Sequence, residues 1–98
     1  MAKLELAFAS TYKRDVKTLD KNHIDTTPLD EVQQLILDNT RASQKILKQR
    51  HKMHKLKGKW KGSNECHVCN VGDWLLVWTV RDNVALMQRT GKHDDIFR

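Results

Sequence analysis

The chain reads as an α+β protein. Two helices are expected on one face of a twisted, mostly antiparallel sheet, in the order β-α-α-β-β-β. Three observations predict this. Residues 3–9, KLELAFA, alternate apolar and polar in strand fashion. Two stretches with helical spacing follow. The second half then switches to short runs of period two or of unbroken apolar character, separated by turn residues. Helices over one sheet face would leave the other partly open.

Leu4, Leu6 and Phe8 form the apolar side of the first strand. Ser10 and Thr11 can cap the first helix. Tyr12, Val16 and Leu19 recur along it at helical spacing, and it should end near Asn22 or His23. The second helix has a clearer start. Thr27 can cap it, Pro28 suits its first turn, and Asp30 and Glu31 favour the positive end of its dipole. Leu29, Val32, Leu35 and Ile36 form its apolar face, and Asp38-Asn39-Thr40 ends it. Residues 41–50 read equally well as a short helix on Ala42, Ile46 and Leu47 or as a solvated basic loop.

Residues 54–62, HKLKGKWKG, place Lys55, Lys57, Lys59 and Lys61 at alternate positions, a strand with one basic side. Gly58 and Gly62 make part of it a loop or a bulge. Residues 74–80, WLLVWTV, are apolar on both sides and suit a central strand. Arg81-Asp82-Asn83 is a turn. Residues 84–89 form the last strand, and a short tail anchored by Ile96 and Phe97 follows. The tryptophans Trp60, Trp74 and Trp78 fall in apolar phase and are expected in the core.

Ninety-eight residues suffice for one domain, 1–98, with one modest core. The formal net charge is +6, with 18 Lys and Arg against 12 Asp and Glu. A polyanion is the natural partner, either nucleic acid or an acidic protein. The plain alternative is a soluble protein that happens to be basic. No stretch approaches the roughly 20 apolar residues of a membrane-spanning helix, and no export signal is visible. Two cysteines fit a reduced, cytoplasmic setting.

Those cysteines are Cys66 and Cys69 in GSNECHVCNVGDW. They fall on opposite sides of a strand, which suits neither chelation nor a disulfide. A zinc knuckle needs two more ligands at matching spacing, and no second CxxC exists. A redox CxxC belongs at a helix N-terminus. Cys66 is therefore read as a small core residue, and no metal or cofactor is expected.

Glu65 and His67 share the outward, lysine side of this strand if its phase is unbroken. Asp73 follows an expected Asn70-Val71-Gly72 turn. With His54 before, and Arg89 and His93 after, a set of imidazoles, carboxylates and one guanidinium can converge on one sheet face. Any one of these histidines alone reads as a solvated surface residue. The grouping carries the argument.

At this point the residues resemble a family. His54-Leu56-Gly58-Trp60-Lys61-Gly62, then Glu65, His67-Val68, Asp73-Trp74, Arg89-Thr90-Gly91, His93 and Phe97 are similar to the YafQ-type toxins of the RelE/ParE superfamily. TYKRDVK, residues 11–17, resembles the first helix of that family. The resemblance implies a microbial RNase-like (RelE-like) fold and a toxin of a type II toxin–antitoxin system. It implies ribosome-dependent cleavage of mRNA in the A site, next to 16S rRNA. It also implies silencing by an acidic DinJ/RelB-like antitoxin in a hetero-oligomer, the toxin alone being monomeric. Position by position, His54, His67, Asp73 and His93 match the catalytic residues, and Arg89 and Phe97 the supporting positions for phosphate and base. Two departures stand out. Glu65 replaces a common aspartate, and residues 41–53 lack the proline-rich connector and are longer.

Cleavage without a metal needs a base for the 2′-hydroxyl, cations for the charged phosphorane-like state, and an acid for the leaving 5′-oxygen. Histidine, with an ordinary pKa near 6.5, suits both proton roles. His93 is expected as the acid and His54 or His67 as the base, with Asp73 orienting a histidine or acting as base itself. Arg89 would clamp phosphate, Glu65 would border the substrate, and Phe97 would either stack on a base or fill core. Lys55, Lys57, Lys59 and Lys61 would either bind backbone phosphates or form a merely solvated face. A rival reading is a non-enzymatic basic nucleic-acid binder, and a third is a zinc module.

Overall fold

The computed structural model describes residues 3–69 and 72–97. Along the chain run β1 (Glu5–Phe8), α1 (Ser10–Lys21), α2 (Thr27–Asp38), α3 (Arg41–Arg50), β2 (His54–Lys55), a 3₁₀ turn (Gly58–Trp60), β3 (Ser63–His67), β4 (Leu75–Arg81), β5 (Val84–Gly91) and α4 (His93–Phe97). One sheet contains all five strands in the order β1-β5-β4-β3-β2. Only β1, parallel to β5, departs from antiparallel pairing.

The α+β class and the mostly antiparallel sheet agree with the sequence reading; the helix count does not. Residues 41–50 are a third helix, α3. Thr40 Oγ1 accepts the Ser43 N–H at 2.9 Å, and Ser43 Oγ accepts the Thr40 N–H at 2.9 Å. This reciprocal capping offsets the helix's high polarity, and Leu47 anchors it, fully buried. The T-x-x-S spacing was a readable signal. Two cap assignments also shift. Ala9 precedes α1, so Ser10 and Thr11 lie inside the helix, and Thr26 rather than Thr27 precedes α2. Asn39, in the left-handed region at φ 50°, ends α2 as expected.

Alternate residues of β4 serve two cores. Leu76 and Trp78 join Cys66, Val68, Ala85 and Met87 beneath Tyr12, Leu29, Val32, Ile36 and Leu47 of the three helices. Leu75 and Val77 face the opposite way and pack with Ile96 of α4 and with Leu56, Trp60 and Phe97. The second face is thus partly roofed. Trp60 belongs to this smaller cluster, whereas Trp74 and Trp78 belong to the larger one.

The lysine stretch is the main correction. Strand geometry lasts only for His54–Lys55. Gly58 then takes φ +68°, a 3₁₀ turn follows, and Gly62 takes φ +95°. Both values are left-handed and suit glycine. Period two is lost, so Lys55, Lys57, Lys59 and Lys61 do not form one ladder. The expected 70–72 turn lies partly outside the described residues. Asp82 and Asn83, at φ 52° and 65°, make the tight turn between β4 and β5.

A bulge interrupts the β4–β5 pairing. Val77 sits opposite Arg89, but Trp78 sits opposite Met87, so Gln88 is the extra residue. Met87 therefore faces the helices, while Arg89, only two residues on, shares the face of Val77.

Candidate active site

The site grows from the second sheet face. His54 pairs with Glu65 across β2 and β3, so the two side chains share that face. His54 Nε2 lies 3.6 Å from Glu65 Oε1. His54 Nδ1 lies 3.1 Å from the Lys52 carbonyl, which can only accept, so Nδ1 carries the hydrogen. The neutral ring then presents its lone pair at Nε2. Glu65 is 7% exposed, against the expectation of an outward, solvated residue. Leu56 and Trp60 line the same pocket as Glu65. The buried Glu65 carboxylate faces the His54 ring across the strand pair.

From the other side comes α4. Asp73 Oδ2 accepts the backbone N–H of His93 at 3.1 Å and so fixes where α4 starts. The His93 ring lies 5.0 Å from the Phe97 ring, and Phe97 meets Trp60 edge-on at 5.8 Å. His54, Glu65, His93 and Phe97 line one shallow pocket of about 280 Å³ with Leu56, Lys57 and Trp60.

Not every expected residue reaches this pocket. His67 lines a neighbouring depression with Lys52, Cys69 and Gly72. Its backbone N–H donates to the His51 carbonyl at 2.8 Å, and His51 Nδ1–H donates to the His67 carbonyl at 2.8 Å. His51 is buried and ties the end of α3 to β3. Lys55 turns instead toward a groove beneath the helices, with Lys48, Met53 and Trp78. Lys57 borders the pocket, and Lys59 and Lys61 are exposed on the turn beside it. Both cysteines carry thiols. Burial, with Glu65 adding, pushes the Cys66 thiol up to about 12. Among the described residues no three His, Cys, Asp or Glu side chains are grouped to hold a metal ion.

Arg89 is engaged inside the protein. Its Nε donates to Asp15 Oδ2 at 2.7 Å, and its Nη2 donates to Asp15 Oδ1 at 3.2 Å and to the Asp95 carbonyl at 3.3 Å. The bond to Asp15 holds the guanidinium pKa above its ordinary value. Asp15 Oδ2 also accepts the Thr90 N–H at 3.0 Å. Sequence reasoning gave Asp15 no role. A contact spanning 74 positions leaves no local signal. Trp74, expected in the core, also makes a polar link that no local pattern signalled. Its Nε1–H donates to Thr90 Oγ1 at 2.9 Å, and Thr90 in turn donates to the Leu75 carbonyl at 2.8 Å. That chain locks the residue after Asp73 onto β5.

Two histidines, a buried carboxylate and two aromatic rings thus line one cleft. The family model for YafQ, a bacterial toxin of type II toxin–antitoxin systems, matches residues 4–98. The chain belongs to the YafQ family. It is 31% identical over 97 residues to the mRNA interferase toxin YafQ of Escherichia coli K12, covering 99% of each chain. The crystal structure of YafQ from E. coli BL21(DE3) superposes with a TM-score of 0.82 at 28% identity, covering 98% of this chain and 100% of that one. YafQ in the E. coli DinJ–YafQ toxin–antitoxin complex gives 0.77 at 29% identity, covering 98% and 99%. The YafQ-family fold thus agrees with the RelE-like architecture that the motifs imply.

Proposed function

We propose that the pocket between β2, β3 and α4 is the RNA-cleaving centre of a toxin. The chain is an mRNA interferase, an endoribonuclease of a type II toxin–antitoxin system. One observation carries the site assignment: His54 and His93 line the same pocket, each fixed by a separate hydrogen bond, while His67 lines another.

The chemistry balances with protons alone. His54 Nε2 takes the proton of the 2′-hydroxyl. The 2′-oxygen attacks the adjacent phosphorus and forms a P–O2′ bond. The P–O5′ bond breaks, and His93 gives its proton to the leaving 5′-oxygen. The products are a 2′,3′-cyclic phosphate, which water can open to a 3′-phosphate, and a 5′-hydroxyl. Each proton transfer is worth roughly 10²- to 10⁴-fold in rate.

Asp73 acts through the backbone of His93, setting the ring's position. Arg89 supplies positive charge toward the phosphate. Phe97 supports the His93 ring and offers its remaining face to a base. Glu65 stabilises the His54 ring once Nε2 has taken the 2′-hydroxyl proton. The geometry favours His54 over His67 as the base, and His67 with Lys52 is placed to border the RNA path. Lys57, Lys59 and Lys61 contact backbone phosphates near the pocket, and Lys55 does so around the β2 edge.

The substrate is message in the ribosomal A site, where 16S rRNA adds a second polyanion for this basic surface, and the reaction belongs in the cytoplasm. An acidic antitoxin similar to DinJ is the silencing partner, by charge and by bulk over the same face. No helix among the described residues is long and apolar enough to cross a membrane.

The test is to map cleavage sites on a translated message with wild type and His93→Ala. Wild type should yield 5′-hydroxyl ends with or without a chelator, and the variant almost none. Equal cleavage by both would remove His93 from the chemistry, and RNA binding without cleavage by wild type would favour the non-enzymatic binder.

A further inference from the structure

Arg89 is the cation that the family motif assigns to phosphate, yet it meets an internal carboxylate first. The geometry of that contact defines what the guanidinium has left to offer. An arginine has five N–H bonds in a planar fork. Asp15 takes the Nε hydrogen at 2.7 Å and one Nη2 hydrogen at 3.2 Å, and the Asp95 carbonyl takes the other Nη2 hydrogen at 3.3 Å. These three bonds leave the two hydrogens of Nη1.

We propose that Asp15 is a positioning residue for RNA cleavage, holding Arg89 by its Nε/Nη2 edge so that Nη1 meets a phosphate oxygen. This rests on the reading of the pocket as an RNA-cleaving centre. It changes the expected contact. A clamp through the Nε/Nη2 edge is already occupied by a protein carboxylate, so the phosphate is met by one amino group.

Three features make Asp15 more than an ordinary ion pair. The pair is largely shielded, with side-chain exposures of 15% for Asp15 and 24% for Arg89. A surface pair would be worth little. Asp15 also takes the Thr90 N–H, standing in for a strand partner. Pairing with β1 ends at Met87, and α1 covers the rest of that β5 edge, with Thr11 Oγ1 donating to the Gln88 carbonyl at 2.8 Å. Finally, Arg89 bonds Asp95 two residues beyond His93. The bulge at Gln88 turns Arg89 onto the second sheet face, and Asp15 reaches it from α1 around the sheet edge. One carboxylate therefore sets Arg89 and, through it, the seat of α4.

The experiment is a double-mutant cycle on single-turnover cleavage of a translated message, using Asp15→Asn and Arg89→Gln. Asp15→Asn keeps the shape but points an amide at the guanidinium. Each single variant should lose roughly 10- to 100-fold in rate at saturating message, the size expected of a misplaced catalytic group. In the Arg89→Gln background, Asp15→Asn should cost less than about twofold more, because coupled residues are not additive. Losses that multiply would overturn the proposal, as would wild-type cleavage by Asp15→Asn or by Arg89→Gln. If Asp15→Asn does not fold by circular dichroism, Asp15→Glu takes its place, with the same non-additivity required. The cycle is repeated on affinity for a non-cleavable 2′-O-methyl RNA. Should His93→Ala cleave normally, the cleavage reading of the pocket fails. The coupling between residues 15 and 89 is then still decided by the affinity cycle.

Discussion

The two faces of the sheet are built from the same strands and do opposite jobs. Cys66 and Glu65 are neighbours on β3, 0% and 7% exposed. Cys66 sits under three helices among Leu76, Trp78 and Met87. Glu65 lines the shallow pocket with His54, Trp60 and His93. On the first face burial stabilises the fold. On the second, a much smaller apolar cluster of Leu75, Val77 and Ile96 underlies the proposed site. The difference teaches that this small protein puts most of its apolar burial on one side of the sheet and the proposed cleavage site on the other. Substitutions should therefore separate the two.

The sharpest test takes the largest effect. His93→Ala should reduce cleavage roughly 10²- to 10⁴-fold, up to about 5.5 kcal/mol in barrier, since it removes one proton transfer. Its side chain is 63% exposed, so the midpoint of urea unfolding should scarcely move. A large fall in stability would break the separation. The mirror experiment is Trp78→Ala, 2% exposed in the main core. It should cost about 3–5 kcal/mol in unfolding free energy. The cleavage rate per folded molecule should stay near wild type, and a rate loss in fully folded material would join the two faces.

The thiols sharpen the comparison through pH. Cys66 has a pKa raised by burial to about 12. Its proton therefore stays on in the folded protein after the unfolded chain has released it. This contribution to stability is intact below the ordinary thiol value of 9.0 and is lost as pH rises from there toward 12. Unfolding followed between pH 8 and 11 should show this loss in wild type and a shallower one in Cys66→Ala. An alkylating reagent at neutral pH should label the half-buried Cys69 faster than Cys66 in native protein. Equal labelling would mean that the first face opens readily.

The smallest effect belongs to the exposed turn. Replacing Lys59 and Lys61 by Gln should leave stability within about 0.5 kcal/mol. It should lower the slope of log affinity against log salt for single-stranded RNA by up to roughly 1.4, at about 0.7 per phosphate contact. An unchanged slope would make these lysines a solvated face only.

Much of the fold was legible because its signals are local. Tyr12, Val16 and Leu19 mark α1 by spacing, Pro28 and Asp30 mark the start of α2, and residues 74–80 mark a strand buried on both sides. The site was half legible. The motif around His54, Glu65, Asp73, His93 and Phe97 named the residues but not their arrangement. The lysine reading failed at Gly58 because one left-handed glycine ends a strand whose pattern alone would have continued. Glu65 was misjudged as well, because alternation along one strand says nothing of what packs over it.

By itself the sequence determined the α+β class, the basic charge, the membership of Cys66 in the core and the set of residues able to move protons. These depend on periodicity and residue chemistry, which a chain carries at every scale of a few residues. The tertiary structure alone decided that His54 and His93 share a pocket apart from His67. It decided that a bulge at Gln88 puts Arg89 on the face of Val77, and that Asp15 reaches it there across the sheet edge. Such choices depend on strand register and on contacts between distant segments, which exist only once the backbone has closed.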